Sequence, residues 1–409
     1  MPLTPFKAFV IINKTKVFGG NNMLKLGFIG FGVEGSARGA GLWRNGFAPS
    51  GRVMLKAIAD PNEEGVKSQL TPEEIENCTF YKDAETMMAN EQLDGVLIGT
   101  RCNLHTKYAK LVAKYNIPLF LEKPVGINEK QLKELMALVP TMNEKTVVSF
   151  PLRMSAIVQK MKELYNSGII GELSQIQAYN NVSYGRGYYH MWYRDENITG
   201  GLFLQKATHD LDYINYIIGK PYPETIFAME TKRIFTGDKP ANLLCKDCPE
   251  NETCPEGIVN LTKIGYAHAS KPNFKCCFAK DTGNHDCATI LMKYDNGVHL
   301  TYTQNFVSRF FAATRGARLI GFKGTLEFDF VTEKIKFIDH FNRENVQDIE
   351  VTSDGMHSGG DGLLINNFLD VMEGKDTSKS PLMEGIISAK MCMTAKESAK
   401  KNKLVKFKI

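Results

Sequence analysis

Two short runs carry side chains able to move a proton. Lys123 stands between Glu122 and Pro124 at the end of an apolar run. The proline pushes the residue before it to extended geometry, so the lysine is held at a strand end rather than left free. Farther on, Gly200-Gly-Leu-Phe-Leu-Gln-Lys-Ala-Thr-His-Asp-Leu-Asp212 reads as a helix after a Gly-Gly turn. On that helix Gln205, His209 and Asp212 share one face, Lys206 lies one turn before His209 and Asp210, and Leu211, Ile214 and Ile217 face the core. An imidazole titrating near neutrality suits removal of a proton from a hydroxyl, which makes His209 an acid/base candidate.

A third run, Met23 to Gly35, could hold a nucleotide. An apolar strand feeds Gly30-Phe31-Gly32-Val33-Glu34-Gly35, and a helix is predicted over 36–45. Gly30 permits the tight turn, Gly32 has no Cβ to keep the backbone from a pyrophosphate, and Gly35 lets helix and strand pack closely. The phosphates would sit at the positive helix N-terminus. Asp60 ends the second strand, where its carboxylate can accept from both adenosine ribose hydroxyls and repel a 2′-phosphate, favouring NAD over NADP.

These stations need a scaffold, and the chain alternates as one requires. Strands at 53–59, 79–81, 95–99, 118–121 and 146–150 alternate with helices at 63–70, 84–90, 104–114 and 129–138. That order predicts a Rossmann doubly wound parallel sheet over 23–150, with ligands beyond the strand C-terminal ends. The glycine loop, Asp60, Thr100 and Glu122 to Pro124 then line one crevice. After a helix at 157–166, runs at 175–183, 225–234, 288–294, 298–305, 317–322 and 334–339 predict an α+β domain over 151–362, built on a large, mainly antiparallel open sheet. Asp295-Asn-Gly297 is a hairpin signal inside it. Two helices, at 363–373 and 384–399, form the tail, 363–409. Residues 1–22 precede the first strand and read as an extension outside the fold, from an upstream start codon.

Six of the nine cysteines lie between 245 and 287. Cys245, Cys248 and Cys254 occupy a Pro-, Asp- and Asn-rich insertion, 240–287, and Cys276 or Cys277 could add a fourth ligand. The spacing suits a structural zinc, with an iron–sulfur cluster or unliganded thiols as the other readings. Cys78, Cys102 and Cys392 read as ordinary buried thiols. The segment Gly185-Arg-Gly-Tyr-Tyr-His-Met-Trp-Tyr-Arg194 combines aromatic faces that stack on sugar rings with Tyr189, His190 and Arg194 as donors to hydroxyls; a hydrophobic loop over the sheet is the plainer alternative.

Composition limits the rest. Of 409 residues 43% are hydrophobic and 23% charged, ordinary for a globular enzyme. The net charge of +5 is mild and its lysines scattered, so no nucleic-acid partner is expected. No apolar run approaches the roughly 18 residues of a membrane span, and no signal segment is evident, so a cytoplasmic protein is expected.

Taken in order, the glycine loop, His105, Glu122-Lys-Pro124, Gly168-Ile-Ile-Gly-Glu172, the Gly-Gly…His-x-x-Asp run over 200–212 and Gly321-x-x-Gly324 resemble the glucose–fructose oxidoreductase / inositol dehydrogenase (Gfo/Idh/MocA) family, from Met23 to the C-terminus. The resemblance implies NAD as cofactor, His105 near it, and Arg153 facing the crevice. It also implies that Lys123 orients and polarises a sugar or cyclitol oxygen while His209 takes its proton as hydride leaves the same carbon for the nicotinamide. A second-domain sheet that mediates a homo-oligomer, dimer or tetramer, is a further implication. The family's dehydrogenases usually carry Asp four residues before the His, where this chain has Gln205 followed by Lys206. An amide holds a hydroxyl but shares no proton, which shifts acid/base work to His209 and a lysine. The expected function is an NAD-dependent oxidoreductase of a sugar, sugar acid or cyclitol. An NAD-dependent glycoside hydrolase working through transient oxidation and elimination, or a catalytically silent sugar and nucleotide sensor, are the alternatives.

Overall fold

The structure is a computed structural model and describes residues 23–32, 38–183, 185, 187–219, 221–265, 274–352 and 357–409. The proposed extension, 1–22, lies outside the described residues. The apolar stretch of the first strand, buried from Leu26 to Ile29, needs a place away from water, and a parallel sheet covered on both faces supplies it. Strands β1 (Leu24–Ile29), β2 (Val53–Ala59), β3 (Thr79–Tyr81), β4 (Gly95–Ile98), β5 (Leu119–Leu121) and β6 (Thr146–Val148) form one sheet in the order β3-β2-β1-β4-β5-β6. All its pairings are parallel. Register brings Ile29, Ala59, Ile98, Leu121 and Val148 into one row at the strand ends. Gly30, Asp60, Gly99 with Thr100, Glu122 with Lys123, and Ser149 therefore leave the sheet on the same side.

The second sheet holds β7 (Leu173–Asn181), β8 (Pro223–Thr231), β9 (Cys287–Tyr294), β10 (His299–Asn305), β11 (Thr314–Gly321), β12 (Gly324–Asp329), β13 (Lys334–Asp339), β14 (Val346–Glu350) and β15 (Val405–Lys406). Its order is β14-β13-β12-β11-β7-β10-β9-β8-β15, antiparallel except that β7 and β10 run parallel. The Asp295-Asn-Gly297 turn joins β9 to β10, with Gly297 at a φ of 85°.

Helix Thr208–Ile217 lies buried against this sheet. Its Asp210 accepts from Asn180 of β7 (2.8 Å), Tyr302 of β10 (2.7 Å) and Arg315 of β11 (2.7 Å). Three strands thus hold one carboxylate, and through it the helix that bears His209. Helix Gly360–Met372 returns to the first sheet, where Phe368 meets Phe120 and Phe47 edge to face at 5.5 and 6.1 Å. Edge-to-face stacking of this kind adds about 1 kcal/mol per pair beyond the area buried. Among the described residues no helix is long and apolar enough to cross a membrane.

Candidate active-site crevice

The glycine turn is built as its residue types require. Gly30 has a φ of 78° and Gly32 one of 83°. A Cβ on Gly30 would stand 2.6 Å from Thr100 Cγ2, so only glycine fits between β1 and β4. Asp60 Oδ2 accepts the backbone N–H groups of Phe31 (3.1 Å) and Gly32 (3.0 Å), and Oδ1 that of Asn62 (3.0 Å). Three of a carboxylate's roughly four lone-pair positions are thereby used. Asp60 both ties the loop down and keeps acceptor capacity for a hydroxyl. Val33, Glu34 and Gly35 lie outside the described residues. Among those described, close helix packing falls on Gly39, whose Cβ would stand 2.8 Å from the carbonyl oxygen of Phe31. The expected continuous helix is also broken, into Arg38–Leu42 and a π-turn at Trp43–Phe47.

A cavity of about 340 Å³ opens beyond the strand ends, between the two sheets. Its wall includes Thr100, His105, Glu122, Lys123, Gln205, Lys206 and His209. A π-turn at Phe203–Ala207 precedes the helix of His209, and its widened backbone lets the neighbours Gln205 and Lys206 both reach the cavity. Lys123 Nζ donates to the main-chain carbonyl of Gln205 at 2.9 Å, and the Lys123–Pro124 peptide is cis. The Gln205 amide donates to Thr199 O at 3.0 Å. A carboxylate there would face that carbonyl with no proton to offer, which accounts for an amide at this position. Gln205, on the cavity wall, thus meets Lys123 through its backbone carbonyl, while its side-chain amide is tied to Thr199.

His209 is buried, and among the described residues its Nδ1 has no hydrogen-bond partner. Burial first, then the charges of Lys123, Arg315, His357 and Lys206, hold it well below its ordinary value of 6.5. Burial, then Arg315, likewise push the Lys206 amine well below the usual lysine range. His105 is fully enclosed between carbonyls, Nδ1 at 2.7 Å from Pro124 O and Nε2 at 3.1 Å from Thr100 O. It fastens the β4 and β5 ends together, with burial lowering its pKa.

Five expected site residues are placed elsewhere. Arg153 and Asp212 form a buried ion pair, Arg153 Nε donating to Asp212 Oδ2 at 3.0 Å, with Glu384 as second partner. Three residues beyond His209, Asp212 lies about 60° round the helix, enough to turn it behind the crevice wall. That pair borders a separate cavity of about 250 Å³ with Tyr216 and Met391. Tyr189 donates to His285 O at 2.6 Å, His190 stacks on Phe274, and Arg194 donates to Cys276 O at 2.9 Å. The aromatic segment instead offers Tyr188, Trp192 and Tyr193 to the crevice. Trp192 and Tyr193 stack at 3.8 Å, and the Arg101 guanidinium lies 3.8 Å over Trp192. The segment forms two short helical turns, Gly187–His190 and Trp192–Arg194, and within each the step of about 100° or more per residue turns neighbouring side chains to different sides.

The crevice also holds Arg38, Ser149, Arg315 and His357, none of which the sequence marks. Arg38 bridges Glu122 (2.8 Å) and Asp361 (2.6 Å), and Asp361 in turn meets His357 Nδ1 at 2.5 Å. Burial works to raise the Asp361 carboxyl, but His357 and Arg38 hold it below the usual range. Arg101 lines the same cavity and is not marked either, although its adjacency to Thr100 is a signal that could have found it.

All nine cysteines are free of disulfides. Burial first, then the thiols of Cys276, Cys254 and Cys248, push Cys245 up to about 12. The donors gathered within 4.8 Å of one another among the described residues are those of His190, Glu256 and Cys277, a set that shares only Cys277 with the thiols expected from spacing.

Family models describe the same two units. Residues 24–150 match the oxidoreductase family's NAD-binding Rossmann fold, and 162–407 match its C-terminal alpha/beta domain. The chain belongs to the Gfo/Idh/MocA oxidoreductase family. Membership makes it an NAD-dependent dehydrogenase by class. Over 358 residues it is 27% identical to YteT of Bacillus subtilis, covering 78% of this chain and 81% of that protein. It is 25% identical to a myo-inositol 2-dehydrogenase of Thermotoga maritima, over 50% of this chain and 58% of the relative. The fold matches a levoglucosan dehydrogenase solved with NADH and levoglucosan, with a TM-score of 0.71 at 16% identity over 94% of this chain and all of the other. A myo-inositol 2-dehydrogenase from Lactobacillus plantarum matches with a TM-score of 0.67 at 16% identity, over 95% and 100% of the two chains.

Proposed function

We propose that the protein oxidises a hydroxyl carbon of a sugar, sugar acid or cyclitol, with His209 as the base. The observation that carries this reading is a buried imidazole with a nitrogen that meets no hydrogen-bond partner among the described residues, on the wall of a crevice that Lys123 and Thr100 also line. The residues present fit NAD: a positive-φ glycine turn and an Asp60 carboxylate with acceptor capacity remaining. When bound, that cofactor supplies the hydride acceptor. Lys123, positioned by the Gln205 carbonyl, polarises the reacting oxygen, and His209 removes its proton. The stacked Trp192 and Tyr193 offer a face to a sugar ring, and the Arg101 guanidinium beside them favours acidic members of the class. The names of relatives, inositol and levoglucosan dehydrogenases, support the carbohydrate reading.

A panel of neutral sugars, sugar acids, cyclitols and glycosides with NAD tests it. Net NADH is expected with at least one polyol; glycoside cleavage without net NADH would instead make the protein a hydrolase, and binding without turnover a sensor. Because His209 is held below 6.5, the neutral base persists through mildly acid pH. The expected kcat/KM is therefore level from neutrality to below 6.5, and an acid limb at or above that value contradicts the assignment. The same shift leaves the unfolded chain the better proton acceptor, so this group's contribution to stability is lost as pH falls through the unfolded value near 6.5.

The same proposal places the protein in the cytoplasm, in keeping with its unpaired cysteines, with a structural zinc in the 240–287 insertion. It also includes self-association through the sheet face on which Met229 and Leu291 stand exposed. Sedimentation is expected to give a dimer or tetramer, and a monomer at micromolar concentration would sink that part.

A further inference from the structure

His190, Glu256 and Cys277 come from three separate stretches yet converge beside the aromatic wall of the crevice. His190 ends helix Gly187–His190, fully buried, its ring stacked 4.1 Å from that of Phe274. Its Nδ1 lies 2.5 Å from the carbonyl oxygen of Lys275. A carbonyl only accepts, so Nδ1 carries the hydrogen and Nε2 presents a lone pair, the arrangement that prepares histidine as a metal ligand. Nε2 has no hydrogen-bond partner, and neither has Glu256 Oε2, 4.0 Å away. The other Glu256 oxygen is held by Arg309 Nη2 at 2.6 Å, which leaves Oε2 as the available donor. Cys277 Sγ completes a set whose donor atoms all lie within 4.8 Å of one another.

His190 Nε2 and Glu256 Oε2 thus face each other across 4.0 Å as two buried acceptor atoms, and among the described residues no hydrogen bond reaches either of them. We propose that these three side chains bind one zinc ion. Tetrahedral zinc with nitrogen, oxygen and sulfur ligands at about 2.0–2.3 Å sets them roughly 3.3–3.8 Å apart, a contraction of at most about 1.5 Å from the present positions. Binding replaces the thiol proton of Cys277, and the divalent ion with one thiolate and one carboxylate is neutral, so no net charge is buried. Water takes the fourth position. The mixed N, O, S set suits zinc better than the oxygen-seeking magnesium or calcium. Tyr188 and Trp192, two residues either side of His190, line the crevice, so the ion would brace that wall against the insertion. This refines the zinc reading and is independent of the redox reading: metal binding can fail while dehydrogenase activity stands, and the reverse.

The test uses the full-length protein, stripped with chelator, dialysed against zinc ions, desalted and analysed for metal. One zinc per chain is expected for the wild type and for Cys248→Ser, whereas Cys277→Ser and Glu256→Gln are expected to bind at least tenfold more weakly. Cobalt substitution should give a thiolate-to-metal band that Cys277→Ser removes. If Cys277→Ser does not fold, Glu256→Gln decides the question alone, since it keeps the shape of the side chain. A wild type that takes up no zinc, zinc retained by Glu256→Gln, or zinc lost from Cys248→Ser overturns the proposal; the last result would assign the ion to the thiols of Cys245, Cys248 and Cys254.

Discussion

Replacing His209 with Asn is expected to lower kcat by about 10²–10⁴-fold, the usual contribution of a positioned general base, while leaving NAD affinity within a few-fold of the wild type. Asparagine keeps a polar group of similar reach in the buried site but cannot take a proton. The size of the effect follows from the setting: burial and the surrounding cations keep the imidazole neutral, so nearly every molecule carries the base at pH 7. Those same cations favour the alkoxide that forms as the proton leaves. Lys123→Met should show a comparable loss in kcat, because it removes the charge nearest the reacting oxygen and leaves the Gln205 carbonyl without its donor. Steady-state kinetics with NAD titrated separately checks both. Loss confined to KM for NAD would mean that His209 positions the cofactor and does no proton chemistry.

Arg153→Met is expected to destabilise the fold by about 3–5 kcal/mol, the range for breaking a buried charge pair from one side. Arg153 and Asp212 are each only 2% exposed in their side chains, and removal of the cation takes from the Asp212 carboxylate its buried ion-pair partner, which Glu384 loses as well. Burial works against the Arg153 charge, yet Asp212 and Glu384 together hold its pKa above the ordinary arginine value. Adding Asp212→Leu to Arg153→Met should recover a large part of the loss, since the more deeply buried of the two carboxylates is then removed together with the cation. Denaturant unfolding measures both variants. A change below about 1 kcal/mol, accompanied by a large rise in substrate KM, would return Arg153 to the substrate-contacting role that the family resemblance suggested.

The first sheet was legible because each of its strands is a run of apolar residues ended by something chemically distinct: Gly30, Asp60, Thr100, or Glu122 with Lys123. Parallel pairing then puts those endings in one row, and the crevice follows from order alone. Distance in sequence hid the rest. Arg38 meets Asp361 across the whole fold, and Arg315 reaches Asp210 only because β11 lies beside β7. The parallel pairing of β7 with β10 was hidden for the same reason. Strand β14 was missed since its residues are almost all exposed and carry no alternation to read. In the aromatic segment the composition was informative but the phase was not: within the single helical turn Gly187–His190 a step of about 100° per residue separates Tyr188, on the crevice wall, from Tyr189, in the core. At His209 the helix was expected, but the π-turn before it was not, and that turn is what brings Gln205 and Lys206 to the same cavity.

The most direct test of hydride transfer in this crevice uses a substrate from the panel carrying deuterium on the carbon that bears the reacting hydroxyl. Product NADH is then examined by NMR for label at C4 of the nicotinamide. One deuterium per NADH is expected from the wild type, at a rate reduced about 10²-fold or more in His209→Asn. Unlabelled NADH, or label that never leaves the substrate while turnover proceeds, would contradict it.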